Sequence, residues 1–76
     1  MPQPINNEQK EELIKLGEKI RKIRHDKCLS LQEVADKIGK DRQSIQRLEK
    51  GGFNPSYVYL LEVCKGLEIE IKDILV

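Results

Sequence analysis

The sequence is poor in almost everything that would support chemistry of its own. It has one histidine and two cysteines, His25, Cys28 and Cys64. These are too few for the four ligands of a structural zinc site, and two cysteines make no disulfide framework. No nucleophile stands beside a base and no glycine loop is arranged to cradle a phosphate. An enzyme, a metal and a cofactor are therefore not expected. No apolar run is long enough for a signal peptide or a membrane span, so a cytoplasmic protein with no membrane partner is the expectation. Internal repeats and low-complexity segments are missing. Excess charge is missing as well: 14 Lys and Arg against 13 Asp and Glu leave a net charge of +1. A non-specific coat for nucleic acid would be strongly basic. At 76 residues the chain is one small domain, and a domain of that size buries a limited fraction of its surface.

The charge that is present lies unevenly. Lys40, Arg42, Arg47 and Lys50 cluster, whereas Glu62, Glu68, Glu70 and Asp73 come later. The basic cluster falls inside Leu31 to Gly51, LQEVADKIGKDRQSIQRLEKG, the stretch around which the chain is organised. Ser30 followed by Glu33 is a capping box, in which each side chain satisfies the other residue's amide. Leu31, Val34, Ala35 and Ile38 then recur at helical spacing on one face. Gly39 can enter the left-handed region that ends a helix, and Asp41 is a good cap for the next one. Two helices joined by so short a turn make a helix-turn-helix or an ordinary helical hairpin. In the second helix only Ile45 and Leu48 are clearly core-facing. Arg42, Gln43, Gln46 and Arg47 lie on or beside one outward stripe, because positions three and four apart are neighbours. Arginine can donate two bonds to guanine, and glutamine can pair with adenine through a donor and an acceptor. These four residues are the candidate base readers.

With these residues in place, the sequence resembles the lambda-repressor/Cro-type helix-turn-helix regulators, the XRE family. Ala35, Gly39, Ile45 and Leu48 match its pattern, as do Leu48-Glu49-Lys50-Gly51 and Asn54-Pro55-Ser56; the likeness runs from about Leu16 to Leu75. It implies an all-α, compact five-helix domain over residues 8–76 with a flexible arm over 1–7. It implies a regulator of transcription, a repressor or else an antitoxin or protein-interaction module acting through a partner protein such as a toxin. Double-stranded DNA carrying an operator is the implied partner, read by a homodimer. Gln32, Lys40, Ser44, Lys50 and Asn54 are the implied phosphate contacts. Arg24 and Glu49 are the implied ion pair between the first helix and the end of the reading helix. Two positions depart from the family. Cys28 stands where it favours a glycine at positive φ, and Leu31 stands where many members have a glutamine that contacts phosphate.

The remaining segments follow from local signals. Asn6 or Asn7 can cap a first helix, whose buried stripe is Leu13, Leu16, Ile20 and Ile23. Glu11 with Lys15 and Glu18 with Lys22 are favourable pairs on its surface. Asn54 is the expected cap of a fourth helix, with Pro55 at its first position, and Gly66 is expected to weaken that helix's end. Phe53 is read as a loop anchor and Cys64 as a small core residue. Glu68 to Ile71 alternates like a short strand, and Lys72 to Leu75 resembles the family's last helix. Ile71, Ile74, Leu75 and Val76 are the expected dimer patch.

Overall fold

The computed structural model describes residues 6–75. The first five residues of the arm expected over 1–7, and Val76 of the expected dimer patch, lie outside that range. Five helices follow in order: α1 (Asn7–Asp26), α2 (Leu31–Ile38), α3 (Arg42–Glu49), α4 (Tyr57–Leu67) and α5 (Lys72–Leu75). The all-α class is confirmed, and no strand occurs among the described residues.

Each of the first four helices starts at a side-chain cap. Asn6 accepts from the Gln9 amide and the Gln9 side chain accepts in return, so Asn6 and Asn7 belong to the folded domain rather than to an arm. Ser30 and Glu33 form the expected box on α2. Asp41 accepts from the Ser44 amide at 2.7 Å. The cap of α4 is Ser56 and not Asn54: the Ser56 hydroxyl accepts from the Tyr59 amide at 3.0 Å. Both residues are good caps. The chain stays non-helical through Pro55 while Phe53 packs on the core, and the helix begins only at Tyr57. Between α4 and α5, Glu68 takes a left-handed conformation (φ 59°) and the Glu70 amide donates to the Asp73 carboxylate at 2.9 Å. This reverses the chain where a strand was expected.

The core contains Ile20, Val34, Ala35, Ile45, Leu48, Leu60, Val63, Cys64, Leu67 and Ile74. Three glycines set how closely the helices approach. A Cβ on Gly17 would lie 2.4 Å from the Glu49 carbonyl oxygen, so α1 and α3 meet backbone to backbone there. A Cβ on Gly66 would lie 2.7 Å from Ile38 Cγ2. Gly66 lies inside α4, where α2 packs on it, and does more than loosen a helix end. Gly51, at φ 70°, lets the chain turn against the backbone of Ile14. Glycine in a helix interior costs about 1 kcal/mol against alanine. Gly17, set between Leu16 and Ile20, thus carried a packing signal that sequence reasoning missed.

Two surface pairs differ from expectation. Lys15 faces Glu12 at 3.6 Å and Lys22 faces Asp26 at 3.2 Å. Both pairs are exposed, and such pairs cost so little to exchange that spacing alone does not select among them.

Candidate nucleic-acid interface

The interface is built on α3. Ile45 and Leu48 are each 1% exposed and anchor the helix to the core. Glu49 is also buried. That leaves Arg42, Gln43, Gln46 and Arg47 in solvent, with Lys50 at the helix end.

Behind the helix, α1 supplies its brace. Arg24 Nε donates to Glu49 Oε2 at 2.7 Å and Nη2 to Oε1 at 3.0 Å, while Nη1 donates to the Leu29 carbonyl at 2.8 Å. The guanidinium is thus shared among α1, the turn before α2, and α3. The hydrogen bonds to Glu49 push the Arg24 pKa above its ordinary value, against the opposing effect of burial. Lys10 adds a second tie, its ammonium donating to the Gly51 carbonyl at 2.6 Å.

In front, a stack of side chains orients Arg47. Its guanidinium lies over the Phe53 ring, 5.3 Å from the centroid. Phe53 meets the edge of Tyr59, with ring centroids 5.4 Å apart at 87°. The Tyr59 hydroxyl shares a hydrogen bond with that of Ser44. Lys40 lies over the Tyr59 ring at 5.5 Å and pairs with Glu62 at 2.9 Å. That bond, and then the Glu62 charge, raise the Lys40 pKa. Sequence reasoning saw Phe53 as an anchor but not the residues it anchors, because Arg47, Phe53 and Tyr59 share no helical spacing.

The expected phosphate contacts are therefore unequal. The Ser44 hydroxyl faces Tyr59, and Lys40 already faces a carboxylate. The Gln32 amide donates to the Asp36 carboxylate at 2.8 Å. Asn54 shares an open pocket with Glu8, Glu11 and Glu12, an acidic setting that suits a phosphate poorly. Lys50 is exposed. Among the described residues, Arg42, Arg47 and Lys50 have no carboxylate within 4.0 Å, whereas Lys15, Lys22, Lys37, Lys40 and Lys72 each have one. Lys10, Lys19, Arg21, Lys27 and Lys65 also lack one, so free cations are not confined to α3, but every cation on α3 and at its end is free.

The residues expected at a dimer joint also part company. Ile74 is 3% exposed and is committed to the core, and Ile71 packs against it. Leu75 is 59% exposed. Tyr57 and Val58, on the first turn of α4, are 61% and 62% exposed, and Leu61 shares that side of the helix. Consecutive side chains of a helix point about 100° apart, so the apolar run at its end is divided between core and solvent. No helix among the described residues is long and apolar enough to cross a membrane.

A short helix capped by its own aspartate, braced from behind and bearing free arginines and glutamines, defines a helix-turn-helix module. The chain belongs to the helix-turn-helix family, in its XRE, lambda-repressor-like branch: the family profile matches residues 20–74. A transcriptional regulator of the helix-turn-helix type from Methanothermobacter thermautotrophicus is 36% identical over 58 residues, covering 75% of this chain and 84% of that one. Among solved structures, the restriction-modification controller protein C.AhdI from Aeromonas hydrophila superposes with a TM-score of 0.82 at 32% identity. That match covers 86% of this chain and 98% of C.AhdI. The controller protein C.Esp1396I, solved as a tetramer in complex with its natural 35 base-pair operator, gives a TM-score of 0.74 at 32% identity, over 86% of this chain and 96% of that one. The chain is thus a DNA-binding transcriptional regulator by family.

Proposed function

We propose that this regulator acts as a repressor in the cytoplasm, binding an operator in double-stranded DNA as a homodimer with α3 in the major groove. The observation that carries this reading is that Arg42, Gln43, Gln46 and Arg47 stand in solvent on one helix anchored to the core, and that neither its arginines nor Lys50 at its end is paired with a carboxylate. A helix meant only for solubility would gain from such pairs. Arg42, Gln43, Gln46 and Arg47 read base edges, and phosphate contacts set the register. Lys50 is the phosphate contact best supported. Lys40 and Ser44 act indirectly, by holding Tyr59 and through it Phe53 and Arg47. The operator-bound tetramer of C.Esp1396I supports both the DNA target and assembly of more than one copy.

Selection of bound sequences from a random duplex pool tests this reading. A single preferred pseudo-palindrome is the expected result, with half-sites about one DNA turn, ~34 Å, apart. On that site Arg47→Ala weakens binding by about 1–3 kcal/mol and relaxes preference at one base position. Gln43→Ala does the same at another position. Equal losses on selected and random DNA would remove Arg47 from the readers.

A further inference from the structure

An open groove of about 460 Å³ lies between α1 and α3. The Arg24–Glu49 pair lines it and is neutral as a unit, each carboxylate oxygen accepting one bond from the guanidinium. Arg21 from α1, and Gln46 and Lys50 from α3 and its end, also line the groove, with Glu18 the one carboxylate outside the pair. Among the described residues, neither Arg21 nor Lys50 has a carboxylate within 4.0 Å. The groove therefore holds two free cations against one free anion. Leu31, from the start of α2, also lines it, and its side chain offers no donor, so side-chain contacts to a ligand there come from the α1 and α3 sides.

Gln46 belongs both to the groove and to the proposed reading face. A duplex that brings a base edge to Gln46 also brings its flanking sugar-phosphate strand to the groove. Arginine holds a phosphate through two parallel N–H donors, and lysine serves as a point charge beside it. We propose that Arg21 and Lys50 together hold one phosphate of the DNA backbone across this groove. Arg21 is then a DNA contact supplied by α1, outside the helix-turn-helix itself. The inference rests on the DNA-binding reading above and adds a contact to it. Glu18 opposes that contact by its charge.

The test is titration of labelled selected-site and random duplexes with the intact chain over a range of NaCl concentrations. Each lost phosphate contact should make the slope of log affinity against log salt shallower by about 1. Arg21→Gln is expected to do this on both duplexes alike, and Arg21→Lys to restore most of the slope. Lys22→Gln removes a neighbouring cation that is already paired with Asp26 and should change the slope far less. Glu18→Gln should tighten binding more than Glu70→Gln does, and a gain of that kind does not arise from partial unfolding. If the wild type binds but Arg21→Gln keeps its slope, the groove contact is wrong and the DNA reading stands. If Arg21→Gln loses preference at one base instead, Arg21 is a base reader and the phosphate assignment fails. A wild type that binds no duplex overturns both.

Discussion

Arg24 and Glu49 stand 25 residues apart and close on each other through two hydrogen bonds, with only 9% and 5% of their side-chain surfaces exposed. Single removal leaves a buried charge without its partner, which costs about 3–5 kcal/mol. Arg24→Ala and Glu49→Ala should each lower stability by that order, and the double variant by clearly less than their sum. Urea denaturation of the four proteins measures this, and additive losses would show that the two side chains do not act as a pair. The pH dependence has a definite sign. Arg24 is raised above its ordinary value, so its contribution is complete below the ordinary arginine range and is lost only as pH rises beyond it. Thermal melts between neutral and moderately alkaline pH should show no loss from Arg24.

Cys28 and Glu68 both lie at positive φ, 57° and 59°. The left-handed region costs a residue with a Cβ about 1–2 kcal/mol, which glycine avoids at some cost in chain entropy. Cys28→Gly and Glu68→Gly should be neutral or stabilising by up to about 1 kcal/mol. Cys28 is exposed, and the Lys37–Glu68 contact is long and exposed at 3.8 Å, so neither substitution loses much else. A clear drop in melting temperature for Cys28→Gly would mean that the thiol packs against something the turn needs.

Gly17 and Gly39 should respond to alanine for different reasons. At Gly17 the new methyl would overlap the backbone of Leu48 and Glu49, so α1 and α3 must separate. A loss of about 1–3 kcal/mol or more is expected, together with weaker DNA binding at temperatures where the variant is still folded. Gly39→Ala meets nothing within 4 Å but has φ +68°, so it should cost about 1 kcal/mol and leave affinity unchanged once folded. Circular dichroism melts and DNA titration separate the two cases.

Assembly should depend on the exposed residues and not on the buried one. Leu75→Asp or Val58→Asp should leave helicity intact and shift sedimentation toward the monomer, with binding to a full site falling to that of two independent half-sites. Ile74→Asp should unfold the domain, because it places a carboxylate in the core without a partner. If Leu75→Asp and Val58→Asp both sediment as the wild type does, the joint between copies lies elsewhere.

The helices were legible in the sequence because their signals are local. Ser30 with Glu33, Asp41 with Ser44 and Gly39 at its turn each act within a few residues, where backbone geometry leaves few alternatives. The face of each helix was legible too, since Val34, Ala35, Ile45 and Leu48 recur at a fixed period. Arg24 with Glu49 was reached through family resemblance, not through spacing. Only the tertiary structure decided which polar side chains were already occupied. Lys40 and Arg42 read alike in sequence, yet one faces Glu62 and the other stays free. Ile74 and Leu75 read alike, yet one is core and the other surface. Ser56 replaced Asn54 as a cap, although both residues suit that role. In each case the local preferences are nearly equal. The choice is made by a residue from another segment: Glu62 on α4 beside Lys40, Phe53 holding the loop before Ser56, and α1 packing over α5.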